Sequence, residues 1–145
     1  MKKVLVGCKV DEYGCRERGR IELDLPKVNP LSGIADYIGC RCVDLVQTDI
    51  DGTVYDIWVD DDGLLVDRLI PTMLVKQRGV PDQYRKAIIG GFVISKTTDD
   101  ENDSIGEIKG PELRKVKSWM EKRMTDMDAY LIFRQAGRPF KWEVY

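Results

Sequence analysis

Apolar and polar residues alternate from the start of the chain. Residues 4–10 form a short, mostly apolar run, and residues 20–25 set Ile21, Leu23 and Leu25 against Arg20, Glu22 and Asp24. A period of two with one dry and one wet face marks a half-buried strand. These runs therefore predict two strands joined by the polar residues 11–19, which carry Gly14 and Gly19. Asn29-Pro30 followed by Leu31, Ile34, Ala35 and Ile38 predicts a short helix, with Asn29 as cap, Pro30 in the first turn and Gly39 as stop. Residues 41–48 and 53–59 predict two more strands. Asp51-Gly52 between them signals a tight hairpin, because both residues tolerate positive φ. Asp60-Asp61-Asp62-Gly63 predicts a further turn, from which residues 64–66 return as a strand.

Residues 69–78 predict a short helix, with Pro71 at its start and Gly79 and Pro81 at its end. Residues 87–95 read as one buried strand that bends at Gly90-Gly91, where side chains vanish. Residues 97–104 are an acidic, polar loop. Pro111 opens the clearest helix, in which Leu113, Val116, Trp119, Met120 and Met124 make an apolar stripe. Residues 130–134 and 140–145 predict a closing strand or hairpin around Gly137 and Pro139. Strands that follow one another through tight turns predict a single α+β domain over residues 1–145: a mainly antiparallel sheet carrying two or three short-to-medium helices.

Composition narrows this picture. A chain of 145 residues, 43% of them hydrophobic, is long enough to bury one core. The net charge of -2 excludes attraction to nucleic acid by bulk charge. Charge is uneven, however: residues 109–145 hold 9 Lys and Arg against 5 Asp and Glu. Basic residues stand beside aromatics in Phe133-Arg134 and in Arg138-Pro139-Phe140-Lys141-Trp142, so Trp142, Arg134 and Arg138 are the first candidates for a binding surface. A single-strand stacking platform is the weaker reading of the same residues, and Trp119 belongs to the helix stripe. The first apolar run stops at Lys9, short of a secretory core, and no run reaches a membrane span, so the host-cell cytoplasm is the expected location. Cys8, Cys15, Cys40 and Cys42 are expected as reduced thiols. Their spacing lacks the paired C-x2-C of a zinc site, and no metal or cofactor is expected.

Asp49-Ile50-Asp51-Gly52-Thr53-Val54 resembles the DxDGT/V signature of haloacid-dehalogenase-type phosphohydrolases. That resemblance implies Asp49 as nucleophile and Asp51 as general acid beside Mg2+. The preceding strand is interrupted by Asp44, Gln47 and Thr48, and strand follows strand with no intervening helix, so the hairpin reading is preferred. Asp60, Asp61 and Asp62 match an EF-hand only at Gly63, since the ends of such a loop would fall on Trp58 and Leu69. The three acids remain candidates for a binding turn. Without a histidine, imidazole-based triads are excluded.

Three segments carry a wider resemblance: residues 34–44 (IADYIGCRCVD), 57–65 (IWVDDDGLL) and 88–94 (IIGGFVI). Across residues 21–95 they resemble the small family called domain of unknown function 3846, found in phages, plasmids and conjugative elements. This chain has Gly39-Cys40 where the family repeats glycine, and Pro71-Thr72-Met73 where it has Asn-Arg. The resemblance implies a binding protein with no activity to transfer, active in host takeover or counter-defence against a host protein or by sequestering a small ligand. Residues 109–145 lie outside it as an added helix and hairpin.

Overall fold

The computed structural model describes residues 1–14, 16–62 and 70–145. Strands β1 (Lys2–Val10) and β2 (Arg16–Asp24) form an antiparallel hairpin in register from Lys2 opposite Asp24 to Val10 opposite Arg16. The second strand starts four residues earlier than the hydrophobic pattern predicts, because Arg16, Arg18 and Arg20 pair along the edge without needing burial. Helix α1 (Leu31–Ile38) ends at Gly39, whose φ of 85° lets its amide and that of Cys40 return to the Ala35 carbonyl. Asn29 is not the cap. Its own φ is 55°, Pro30 occupies the cap position, and no side chain caps the helix.

Strands β3 (Val43–Ile50) and β4 (Thr53–Asp60) are joined at Asp51 and Gly52, with φ of 49° and 84°, the paired positive values that match the twist of the strands they connect. The sheet is completed by β7 (Phe92–Lys96), giving the order β2-β1-β7-β4-β3 with every neighbouring pair antiparallel. A second sheet has the order β5 (Pro71–Val75), β6 (Tyr84–Ile89), β8 (Glu143–Val144).

Helix α2 (Pro111–Gln135) packs chiefly on β5. Its buried residues Val116, Met120 and Met124 join Val6, Ile57, Phe92, Ile94 and Met73 in the larger core. The opposite face of the sheet carries α1, with Ile34 against Leu5, Trp58 and Val93. Alternation along β1, β4 and β7 sends successive side chains into these two cores, so the centre of the sheet is dry on both sides and the molecule has three layers. The fold class is α+β with a mainly antiparallel sheet.

Four further expectations are corrected. Pro71 to Val75 is a strand, not part of a helix; Thr72, Met73, Leu74 and Val75 are all buried, and so short and mostly apolar a run does not separate helix from strand by period. The apolar run around Gly90-Gly91 is two strands in two sheets. Gly90 turns at φ 77°, and a side chain on Gly91 would place its first carbon 2.8 Å from the Cys8 carbonyl, so only glycine lets the chain enter the sheet centre there. Residues 130–134 continue α2 as helix, because the spacing of Met120, Met124 and Met127 runs on to half-buried Leu131 with no breaker before Gly137. The tail forms no hairpin: β8 adds parallel to β6, pairing Glu143 with Tyr84 and Val144 with Arg85. The strand expected over residues 64–66 lies outside the described residues.

Candidate binding surface

Helix α2 and β8 bring the tail aromatics together. Phe140 is the hub: its ring centroid lies 5.5 Å from those of Tyr130 and Phe133 and 5.9 Å from that of Trp142, all edge to face. Two cations stand over the Trp142 ring, Arg85 at 4.0 Å and Lys141 at 4.1 Å from its centroid. Arg85 is aimed by its own chain, donating to the carbonyls of Asp82 and Tyr84. Burial first, then the nearby Arg123 charge, lowers its pKa. Arg138 covers Phe133 at 5.7 Å, and Lys86 covers Tyr145 at 5.4 Å. Ile132 is 66% exposed and Phe133 36%, so the outer side of the last helical turns is apolar as well as basic.

Trp142 and Arg138 thus belong to one cluster. Arg134 lies exposed on the last turn of α2, and no acid among the described residues pairs with it. Trp119 is half-buried against the larger core with Arg123 over its ring. Sequence reasoning missed Arg85 and Lys86. The signal was Tyr84-Arg85-Lys86, which repeats the aromatic-basic composition of the tail on a distant strand.

The acidic turn divides. Asp62 is bound to Arg41 at 2.9 Å. Asp60 and Asp61 instead border a cleft of about 210 Å³ between β4 and β6. Val59, Ala87, Ile88 and Ile89 make its apolar wall, and Asp44, Lys86 and Tyr145 complete it. Tyr145 therefore links the acidic turn to the aromatic tail, two candidates far apart in sequence.

Asp49 and Asp51 do not converge. Asp49 sits on β3 opposite Val54, 3.9 Å from Arg78, while Asp51 is in the turn, 3.6 Å from Lys115. The phosphohydrolase signature implies a parallel sheet, whereas the hairpin that carries these acids is antiparallel. Among the described residues no three His, Cys, Asp or Glu side chains gather to hold a metal. Cys8 is buried, Cys40 half-buried and Cys42 exposed, all as free thiols. Burial pushes the Cys8 and Cys40 thiols up to about 11.

The other polar concentration is structural. Lys3, buried on β1, holds both oxygens of Asp103 at 2.6 Å and the Ile105 carbonyl at 2.8 Å. Tyr55 donates to Glu112 at 2.6 Å and Lys96 to the same carboxylate at 3.0 Å, pinning the start of α2 to the sheet. Among the described residues no helix is long and apolar enough to cross a membrane. The arrangement defines an α+β protein with a cationic-aromatic face beside a small cleft. Comparisons with protein-family models, curated proteins and solved structures found no match.

Proposed function

We propose that this chain is a binding protein of a phage or other mobile element that holds a host protein on its cationic-aromatic face. The observation that carries the reading is the cluster in which Phe140 and Trp142 gather Tyr130, Phe133, Arg85, Lys141 and Arg138. Aromatic and arginine side chains dominate the energetics of protein interfaces, and here Tyr130 and Phe133 on α2 and Arg85 on β6 hold Phe140 and Trp142 of the segment that joins α2 to β8. Arg134 and Arg138 add positive charge at the margin, which fits a partner with acidic side chains around its contact. The mobile-element setting rests on the resemblance of residues 21–95 to domain of unknown function 3846.

Two details favour a protein partner. Trp142, the ring best suited to stack on a base, already carries two cations, which weighs against a nucleic-acid platform. The cleft of about 210 Å³ is smaller than the roughly 300–1,000 Å³ usual for drug-sized ligands, which weighs against this cleft as the place where a free nucleotide or cofactor is sequestered.

The test is capture from bacterial lysate by the immobilised protein, compared with Arg134→Glu/Arg138→Glu. Both positions are exposed, so the fold tolerates the change. Expected is a discrete partner whose capture weakens with salt and is lost in the double variant. Absence of any partner, or capture unaffected by the reversal, overturns the reading.

A further inference from the structure

We propose that the cleft between β4 and β6 accepts a cationic side chain on an apolar stem, an arginine or lysine supplied by the protein partner. The inference rests on the partner-binding reading above and specifies the group that the partner inserts.

The cleft is two-sided in chemistry. Its wall includes Ile88, 1% exposed, and Val59, 9% exposed, both continuous with the larger core. Its border carries the carboxylates of Asp44, Asp60 and Asp61. Among the described residues no cation pairs with any of the three, although other acids on the same strands and turns are paired: Asp62 with Arg41, Asp49 with Arg78, Asp51 with Lys115. One oxygen of Asp44 accepts from the Leu45 amide and one of Asp60 from the Asp62 amide, so local backbone bonds orient both carboxylates. Among the described residues the lining of the cleft has one cation, Lys86, which lies 5.4 Å from the Tyr145 ring centroid. Negative charge is thus in excess at the mouth of an apolar hole.

Arginine and lysine match that pattern, since their methylene stems lie along apolar surface while the charged head stays at a polar margin. A carboxylate would meet three like charges. A wholly apolar group would fill the wall and leave the acids unused. The cleft volume suits a side chain inserted as an anchor, the form that interface hot spots take.

The probe is n-butylguanidinium, followed by NMR of the methyl groups of Ile88 and Ile89 and the amides of Asp60 and Asp61, with butan-1-ol and butyrate as controls. Expected is a saturable shift with butylguanidinium only, weakened about tenfold or more by Asp60→Asn/Asp61→Asn. No saturable shift, an equal response to butan-1-ol, or a response that survives the double substitution overturns the proposal. So does concentration-dependent self-association through these residues without probe, which would make a second copy the occupant. If the double substitution disturbs the fold, the comparison of the three probes on the unsubstituted protein still decides. Arg134→Glu/Arg138→Glu is expected to leave the titration unchanged, so failure here and failure of the capture experiment are separable.

Discussion

At the scale of single residues, the fold depends on a few polar contacts made across long sequence separations. Tyr55 and Glu112 are 57 positions apart. The Tyr55 hydroxyl first, and then Lys96, holds the Glu112 carboxyl below the ordinary glutamate range, while burial raises the tyrosine. The ionised glutamate is therefore preferred more strongly in the folded chain than in the unfolded one. That contribution is complete above the unfolded value of about 4.3 and is lost as pH falls through the lower folded value. Tyr55→Phe is expected to cost about 1–2 kcal/mol in urea unfolding at pH 7, the order of a hydrogen bond to a charged group at a partly exposed site. The gap between variant and parent is expected to narrow below about pH 4, where Glu112 is increasingly protonated. A gap independent of pH would show that the lost hydroxyl acts through packing alone.

At the scale of elements, α2 combines two functions along its length. Its first five turns are anchored by Val116, Met120, Met124 and Met127, all buried, while its last turns expose Ile132 and Phe133 and carry the rings that meet Phe140. Met120→Ala is expected to cost about 2–5 kcal/mol through the cavity it leaves. Ile132→Ala is expected to stay within about 0.5 kcal/mol while weakening partner capture. Chemical denaturation of both variants checks this, and a large loss from Ile132→Ala would mean that the outer face is structural. The helical stripe and the Asp51-Gly52 hairpin were legible because each is a local pattern of a few turns or residues. The β5 strand was not. Pro71 and a short, mostly apolar run suit a helix start or a buried strand equally, and only the pairing of Met73, Leu74 and Val75 with β6 decides.

At the scale of the whole molecule, the C-terminal tail closes an edge. Backbone bonds from Glu143 to Gln83, from Tyr145 to Arg85 and from Ala87 to Tyr145 cover part of β6, and the Tyr145 hydroxyl donates to Gln77. Removing residues 140–145 would uncover those backbone groups and half of the aromatic cluster. Expected is concentration-dependent association by light scattering with nearly unchanged secondary structure by circular dichroism, since an open strand edge templates pairing with another chain. A truncated chain that stays monodisperse would show that β6 needs no cover.

What the amino-acid sequence by itself determined is the short-range set: the β1–β2 and β3–β4 hairpins, the Pro111 start of α2, the Gly39 stop, the stripe on α2 and the basic, aromatic tail. Each depends on residues within one turn or one hairpin of one another, where sterics and side-chain period act alone. Tertiary structure decided that residues 87–95 serve two sheets, that residues 130–134 remain helical, and that the tail runs beside β6. It also decided the candidate site, because Arg85 reaches Trp142, and Asp60 and Asp61 share a cleft with Tyr145, only after β6 and β8 have paired. Pairing over more than fifty residues is set by which packing buries the most apolar surface, and that is a property of the assembled chain and not of any window along it.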